Sequence, residues 1–253
     1  MSTHDQDLAL AFDDQAAKFE RAPVQSDPEA LGRLVRAADL PAGSRILDAG
    51  CGPGLVSEAL LAAGHRVVGV DLSAEMIARA RKRCAAYGDR AHFEQTSLHD
   101  PALAGPFDAA ISRYVLHHVT DPLAFVARQL ELLRPGGVVV LSDHTSDPDP
   151  DGAARHEAIE RARDRTHTRN LTPGALVDLL ARAGSVEIRL IEEEFTLDFD
   201  EWFDRGTPAA SKASVRERIL SAPPIRGFRP TLLDDGGVRI DCFRAIVRGV
   251  KPA

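Results

Sequence analysis

The chain has 253 residues, of which 44% are hydrophobic and 27% are charged, and its formal net charge is −7. This is the composition of a globular protein that is long enough to build a full core. The negative charge argues against nucleic acid as a partner. Apolar runs such as residues 138–141 are too short to span a bilayer, and residues 1–10 lack the pattern of a signal peptide. We therefore predict a cytoplasmic protein without a membrane span.

Three cysteines, Cys51, Cys84 and Cys242, are widely spaced and form no C-x-x-C pair. This pattern favours reduced thiols over a disulfide framework or a zinc site. We predict no metal. Composition leaves the oligomeric state open between a monomer and a small oligomer such as a homodimer.

From residue 45 onward, short apolar runs alternate with helical patterns. The predicted strands are Arg45–Ala49, Arg66–Val70, His92–Gln95, Phe107–Ile111, Gly137–Ser142, Ser185–Ile191 and Ile240–Arg248. The early strands are apolar throughout, which is typical of a parallel sheet with helices on both faces. Helices between them begin at capping residues such as Ser73, Asp121 and Thr172. The order predicts an α/β fold with a doubly wound, mostly parallel, seven-stranded sheet.

Three segments lie outside this alternation. Residues 1–40 contain two predicted helices, residues 144–171 an acidic loop and a polar helix, and residues 192–239 the aromatic cluster FTLDFDEWF. Ligands of open α/β sheets bind beyond the carboxyl ends of the strands, so insertions there are expected to be lids. We predict one domain over residues 1–253, with a cofactor-binding core at 45–143, an N-terminal helical lid and two substrate lids.

The segment RILDAGCGPG places a glycine-rich loop directly after the first strand. Gly50, Gly52 and Gly54 allow the backbone to approach a ligand, although glycines alone are weak evidence because they also end helices. Asp71 ends the next strand, where a carboxylate can accept hydrogen bonds from both hydroxyls of a ribose. The combination predicts a ligand that contains adenosine.

Two residues of this loop distinguish among adenosine ligands. Asp48 would repel a pyrophosphate but attract an ammonium group. Pro53 removes an N–H donor that a phosphate loop would use, and no Lys-Ser or Lys-Thr pair follows the glycines. These features favour S-adenosylmethionine, which has a cationic amino-acid end, over a dinucleotide or a nucleoside triphosphate.

Four motifs carry a family resemblance: RILDAGCGPG, VVGVDLS, FDAAISRYVLHHVTDP and LRPGGVVVLSDH. Their order and spacing resemble those of class I S-adenosylmethionine-dependent methyltransferases, and most of all the small-molecule branch related to the ubiquinone/menaquinone C-methyltransferases. The resemblance is strong over roughly residues 12–145. It implies the Rossmann-like methyltransferase fold and S-adenosyl-L-methionine as cofactor, and it does not specify the acceptor.

The resemblance also implies a set of cofactor contacts. These are Asp48, Gly50, Cys51, Gly52 and Gly54 around the methionine end, Asp71 at the ribose, Leu72 and Met76 at the adenine, and Ser112 and Arg113 beside the sulfonium. After the third strand, Thr96 and Ser97 stand where the family usually has glycine and aspartate. Ser97, followed by Leu98, is still assigned to the cofactor site, but its hydroxyl would accept a hydrogen bond from adenine more weakly than a carboxylate.

Four residues are candidate catalytic or substrate contacts: Tyr114, His117, His118 and His167. The first three follow the fourth strand, where this fold places the reactive end of the cofactor, and histidine is the simplest base near neutral pH. The two adjacent histidines could instead brace the next helix, and Tyr114 could be a core residue. His167 could bind an acidic substrate group or belong to a solvated helix end.

Asp143 and His144 end the fifth strand at the same edge, where such a pair could orient a base. One pair is far from a complete metal site.

The leading hypothesis is methyl transfer to a small, apolar or aromatic metabolite, at oxygen or carbon. One alternative is a relative that binds S-adenosylmethionine without methylating, which the replacement at Ser97 keeps open. A nicotinamide-dependent oxidoreductase is a further alternative, which Asp48 and Pro53 disfavour.

Overall fold

The computed structural model describes residues 3–253, and within them the chain forms eight strands. They are β1 (Arg45–Ala49), β2 (Arg66–Asp71), β3 (Ala91–Gln95), β4 (Phe107–Arg113), β5 (Leu133–His144), β6 (Val186–Asp198), β7 (Phe228–Leu232) and β8 (Val238–Val250). The order across the sheet is β3-β2-β1-β4-β5-β8-β6, and β7 pairs with β8 beside this path.

Over the same residues the chain forms ten α-helices. They are α1 (Thr3–Arg21), α2 (Pro23–Ser26), α3 (Pro28–Ala38), α4 (Leu55–Ala62), α5 (Ala74–Arg83), α6 (Pro122–Leu132), α7 (Pro150–Arg163), α8 (Pro173–Arg182), α9 (Phe199–Asp204) and α10 (Lys212–Ser221). The predicted caps are present: the side chains of Ser73, Asp121 and Thr172 accept hydrogen bonds from the first turns of α5, α6 and α8.

The first five strands are parallel, whereas β8 runs antiparallel to both β5 and β6. The strand order reverses between β1 and β4, so the carboxyl ends of β1, β2, β4 and β5 meet at one edge of the sheet. Successive residues of β1 enter different apolar clusters: Leu47 packs in one and Ile46 in the other. The predicted doubly wound, mostly parallel sheet is confirmed.

The strand count exceeds the predicted seven by one, because residues 192–239 do not form a simple insertion. β6 continues to Asp198, which pairs with Arg239 of β8, and β7 pairs with the same part of β8. The acidic run Glu192–Glu194 conceals this extension in the sequence, since β6 is an edge strand with mostly exposed side chains. The N-terminal region likewise contains a third, four-residue helix, α2, between the two that were predicted.

A third apolar cluster lies under this extension of the sheet. It contains Phe199, Trp202 and Phe203 of α9, Val215 of α10 and Phe228 of β7. The aromatic residues of FTLDFDEWF therefore hold α9 and α10 against the extended strands.

Helix α1 is tied to α5 by polar contacts. Glu20 forms ion pairs with Arg79 and Arg83, and the Asp13 carboxylate accepts a hydrogen bond of 2.6 Å from the Ser73 hydroxyl. These contacts hold the N-terminal helix across the edge at which β1 and β2 end.

Gly54 allows α4 to approach α5 closely. Its φ of 84° lies in the left-handed region, and a Cβ at this position would lie 3.0 Å from the Ala80 Cα. We expect Gly54→Ala to lower the free energy of unfolding by roughly 2–5 kcal/mol, because it combines backbone strain with overpacking. Urea unfolding followed by circular dichroism measures this loss.

Gly64→Ala is the matched control. Gly64 also has a positive φ, 95°, but apart from its two chain neighbours no described residue has an atom within 4 Å of its ideal Cβ position. Its expected loss is about 1–2 kcal/mol, from backbone strain alone. Equal losses in the two variants would contradict the steric role of Gly54.

Candidate functional site

A cavity of about 350 Å³ lies at the carboxyl ends of β1, β2 and β4. Ten of the twelve predicted cofactor-binding residues line it: Asp48, Gly50, Cys51, Gly52, Asp71, Leu72, Met76, Ser97, Leu98 and Arg113. Helix α1 covers it with residues that include Leu8 and Phe12. The volume lies in the range typical of small-molecule sites.

Gly54 and Ser112 lie outside the wall of this cavity. Gly54 begins α4 and faces α5, as described above. The Ser112 hydroxyl is buried in the sheet and has no hydrogen-bond partner among the described residues.

Asp48 is the penultimate residue of β1 and is only 1% exposed. Its carboxylate accepts a hydrogen bond of 2.6 Å from the Ser57 hydroxyl. Burial raises the pKa of Asp48 to about 7, and the neighbouring Asp71 carboxylate adds to the shift against the opposing effect of Ser57. A carboxylate in this condition is stabilised by any cation that enters the cavity beside it.

Asp71 is held by backbone donors of the glycine loop and of the following turn. One oxygen accepts from the Gly52 N–H at 2.8 Å and the other from the Ser73 N–H at 3.0 Å. Burial raises the pKa of Asp71, although these hydrogen bonds act in the opposite direction. Each oxygen retains a further lone pair for a hydroxyl donor in the cavity.

The far end of the cavity is formed by Leu72, Met76 and the segment after β3. The Ser97 hydroxyl accepts a hydrogen bond of 3.2 Å from the His99 N–H. Asp100 does not line the cavity, and its carboxylate accepts hydrogen bonds from the Thr96 hydroxyl and the Ala102 N–H. Asp100 therefore does not replace the usual aspartate in this wall.

Arg113 reaches the cavity wall but directs its guanidinium to the backbone of α2. Its terminal nitrogens donate hydrogen bonds to the carbonyl oxygens of Val24 and Gln25, both at 2.9 Å. The guanidinium also stacks on the Tyr114 ring, 4.5 Å from its centroid. The observed contacts make Arg113 a clamp that fastens the N-terminal segment over β4.

A second, smaller cavity of about 30 Å³ adjoins the first. The two share the wall residues Phe19, Gln25, Tyr114 and His118. The other residues of its wall are His117, His144, Glu160, Arg163, His167, Asn170, Trp202 and Arg205. The N-terminal helix, the segment 144–171 and the segment 192–239 all contribute to this wall, so the three predicted lids meet at one place.

His117 forms a close pair with Asp143, which ends β5. The distance from His117 Nδ1 to a carboxylate oxygen of Asp143 is 2.6 Å, and the other oxygen accepts the His117 backbone N–H at 3.2 Å. Burial alone would lower the pKa of His117, but the Asp143 carboxylate outweighs it and raises this pKa above its usual value. The pair fixes the tautomer of the ring and leaves Nε2 as the basic nitrogen.

His118 and Tyr114 stand between the two cavities. His118 is 4% exposed, and burial together with the neighbouring His117 lowers its pKa to about 3, so the ring is neutral. Tyr114 adopts a positive φ of 58°, and its hydroxyl accepts a hydrogen bond of 3.0 Å from Arg244. A strained, non-glycine residue at the end of a strand is a common feature of functional sites.

His167 and His144 complete a cluster of histidines around the second cavity. His167 lies 2.9 Å from a carboxylate oxygen of Glu157, and its ring centroid is 5.8 Å from that of His117. His144 stacks on Tyr114 at 4.6 Å, and burial followed by the charge of His117 lowers its pKa well below its usual value. Among residues 3–253, no group of three or more histidine, cysteine or acidic side chains has a metal-binding arrangement.

Sequence reasoning assigned no site role to several residues of the second cavity. Glu160, Arg163 and Asn170 lie in a segment that reads as a polar helix and turn, and Arg205 follows the aromatic cluster. No local signal distinguishes these charged residues from solvated ones. Asp143 carried a signal, a carboxylate directly after the apolar run VVVLS, but its partner His117 is distant in the chain.

Residues 3–253 also contain no helix that is long and apolar enough to cross a membrane.

Comparisons with known proteins show to which family the chain belongs. The profile of a family described as "Methyltransferase domain" matches residues 24–186, which is more than half of the chain. A ubiquinone biosynthesis O-methyltransferase from Cereibacter sphaeroides is 38% identical over 148 residues, which cover 56% of this chain and 60% of that protein. A protein of the same name from Xanthomonas axonopodis is 40% identical over 104 residues, covering 40% and 44%. The chain thus matches about half of the length of these relatives.

Solved structures share the fold at lower sequence identity. The YcgJ protein from Bacillus subtilis is 24% identical with a TM-score of 0.79, and the alignment covers 89% of this chain and 99% of that one. Phosphoethanolamine N-methyltransferase 2 from Haemonchus contortus, in complex with S-adenosyl-L-methionine, is 17% identical with a TM-score of 0.61, covering 89% and 53%. These structures show that the shared fold extends beyond residue 186. The family profile, which matches residues 24–186, gives the assignment: this chain belongs to the methyltransferase domain family.

Proposed function

We propose that this protein transfers a methyl group from S-adenosyl-L-methionine to a small-molecule acceptor. The observation that carries the proposal is the pair of carboxylates, Asp48 and Asp71, that line one cavity at the ends of β1 and β2. When bound, this cofactor supplies an electrophilic methyl group on a sulfonium. Its ammonium and its ribose hydroxyls match these two carboxylates.

The residues present fit such a cofactor. Asp48 is buried with a raised pKa and one hydroxyl donor, so an ammonium group beside it relieves an unfavourable burial. Asp71 is oriented by two backbone N–H groups and can still accept hydroxyl hydrogen bonds. Leu72, Met76 and Leu98 give the far end of the cavity an apolar lining that suits a base.

His117 is the proposed general base. Asp143 holds the proton on Nδ1 and stabilises the imidazolium, so Nε2 can accept a proton from the acceptor as the new bond forms. This favours an acceptor whose nucleophile is a hydroxyl, which agrees with the O-methyltransferase names of the relatives. His118, neutral and hydrogen-bonded to Thr166, and Tyr114 serve as walls that position the acceptor.

In the proposed mechanism, the three lid segments exclude water from this site. α1, tied to α5 through Glu20 and Asp13, covers the cofactor cavity. Segment 144–171 is joined to the base through the Thr168 N–H, which donates to the His117 carbonyl at 2.7 Å. Segment 192–239 is joined to α7 through Arg163, which donates to the Trp202 carbonyl at 2.9 Å.

We also propose a small-molecule partner and a cytoplasmic location for this protein. A net charge of −7 argues against nucleic acid, and a cavity of about 350 Å³ has the size of a small-molecule site. A homodimer stays a prediction. The relatives named above do not include an oxidoreductase, and Asp48 disfavours a pyrophosphate at the glycine loop.

Asp48→Asn is expected to have opposite effects on binding and stability. Cofactor affinity should fall about 10- to 100-fold, because a charge-assisted hydrogen bond to the ammonium is lost. The raised pKa makes wild-type stability decline as pH rises from about 4 to 7, because the unfolded chain releases the proton first. Above pH 7, the ligand-free variant should therefore be more stable by roughly 1–4 kcal/mol. Calorimetric titration and urea unfolding measure the two quantities.

Asp100→Asn provides the control for Asp48, since Asp100 lies near the same edge but outside the cavity wall. Asp100→Asn should leave cofactor affinity unchanged, and it should not raise the free energy of unfolding. A loss of affinity in Asp48→Asn without the gain in stability would contradict the burial argument.

Asp71→Ala is expected to weaken cofactor binding by about 1–3 kcal/mol through the loss of hydrogen bonds to the ribose. A double-mutant cycle with S-adenosylhomocysteine and its 2′-deoxy analogue isolates that contribution. The wild type should prefer the parent compound, and the variant should lose most of this preference. If Asp71→Ala kept the full preference for S-adenosylhomocysteine over its 2′-deoxy analogue, Asp71 would not be the residue that binds the ribose.

His117→Gln is expected to lower turnover by about 10²–10⁴-fold while leaving S-adenosylhomocysteine affinity within about twofold. Activity of the wild type should rise with pH through the pKa of His117, because only the neutral ring accepts a proton. Asp143→Asn should move this rise to lower pH and reduce the plateau, because the charge that raises the pKa is gone.

NMR titration of the imidazole signals measures the same pKa without an acceptor. His92→Gln is the control, since His92 is an exposed residue of β3 paired with Glu94. If Asp143→Asn left the pKa of His117 unchanged, the proposed pair would not operate.

A further inference from the structure

The second cavity holds two buried hydrogen-bond donors that lack partners. Asn170 is 5% exposed, and its side-chain nitrogen makes no hydrogen bond within residues 3–253. Arg205 is also 5% exposed, and its Nε lies 3.2 Å from a Glu201 oxygen without the alignment of a hydrogen bond. Native proteins leave few buried donors unpaired. Two of them on one wall point to a ligand that supplies acceptors.

The charges on the same wall indicate what kind of acceptor fits. The wall carries two guanidinium groups, Arg163 and Arg205, and one carboxylate, Glu160. Glu160 is already paired, since its oxygens lie 3.8 Å from Arg163 and 3.5 Å from His156. Arg163 is further occupied by Asp164 and by the Trp202 carbonyl. Arg205 is thus the cation of this wall with one ion-pair partner, Glu201, and with no hydrogen bond from its buried Nε among the described residues.

The environment of Arg205 is consistent with a charge that lacks full compensation. Burial, reinforced by the nearby Arg163, lowers the pKa of Arg205 to about 10, and Glu201 offsets only part of this shift. A water molecule in the cavity could satisfy a donor but could not neutralise a charge. An anionic group can do both.

The size of the cavity limits that group. Its volume, about 30 Å³, is far smaller than the 350 Å³ of the first cavity, so it admits only a small group. A carboxylate is among the smallest anionic groups that could enter it. The remainder of the molecule must extend past the shared wall residues Phe19, Gln25, Tyr114 and His118 into the first cavity.

We propose that the second cavity binds the carboxylate of the methyl acceptor, between the Asn170 amide and the Arg205 guanidinium. The acceptor is then a small hydroxycarboxylic acid whose hydroxyl end extends past the shared wall residues toward the first cavity. The carboxylate is the anchor and not the methylated group, because an ionised oxygen needs no base whereas a hydroxyl does. This inference rests on the proposed methyl transfer, and its test separates the two.

Trp202 provides a direct signal, because it is the single tryptophan of the chain and lines the second cavity. Its fluorescence should change saturably with sodium acetate at constant ionic strength, set with sodium chloride. Acetamide, which has nearly the same shape without the charge, should bind at least about tenfold more weakly. Equal responses to acetate and acetamide, or no saturable response to acetate, would overturn the carboxylate site.

Variants assign the signal to the two donors. Asn170→Asp places a negative charge at the same position and Arg205→Gln removes the positive charge, so each should weaken acetate binding by about tenfold or more. Arg165→Gln is the matched control, because it also removes one positive charge but from an exposed position outside the cavity wall. It should bind acetate like the wild type. Retained acetate binding in either donor variant would remove that residue from the proposed site.

S-adenosylhomocysteine binding, measured on the same samples, tests the proposed function separately. Both donor variants should retain wild-type affinity for this compound, which also shows that they fold. Wild-type protein that binds it but does not discriminate acetate from acetamide would contradict the acceptor class alone. Protein that binds acetate but not S-adenosylhomocysteine would contradict the methyl transfer and leave an anion site.

Discussion

The burial of carboxylates at the carboxyl ends of the parallel strands is the constraint around which this site is organised. Asp71 ends β2, and Asp48 and Asp143 lie one residue before the ends of β1 and β5. A carboxylate removed from water must be protonated, hydrogen-bonded or paired with a cation. Asp143 has His117 as its partner and Asp71 has backbone donors, whereas Asp48 has one hydroxyl and a pKa of about 7. The carboxylate with the least compensation therefore lies where a ligand cation is most strongly stabilised.

The doubly wound topology explains why these groups meet. The order of the strands reverses between β1 and β4, and the parallel strands end at one edge. The glycine loop after β1, the turn after β2 and the histidines after β4 thus converge, although they are far apart in the chain. The lids close over this edge with polar contacts to it, such as those of Arg113 with the carbonyls of Val24 and Gln25. Substrate recognition can then vary in the lids while the cofactor end of the site stays fixed by the sheet.

The two cavities differ in how far the sequence could describe them. The first contains residues that are close to one another along the chain or that follow consecutive strands, so sequence motifs predicted twelve cofactor contacts, of which ten lie in its wall. Gly54 and Ser112 are the exceptions. Gly54 packs between two helices, because its φ is positive and it lies close to Ala80. The Ser112 hydroxyl is buried and has no hydrogen-bond partner among the described residues. A strand-end residue can face either side, and the sequence motif alone does not say which.

The sequence by itself determined the fold class, the family and the edge of the sheet at which ligands bind, because apolar periodicity and the glycine loop are local properties of the chain. It also placed His117 at that edge. Only the tertiary structure decided that Asp143 is the partner of His117, that β6 and β8 extend into the supposed insertion, and that Asn170 and Arg205 face one small cavity. The physical reason is that pairing, burial and the loss of water around a charge depend on neighbours that are distant in the chain, and no local pattern records them.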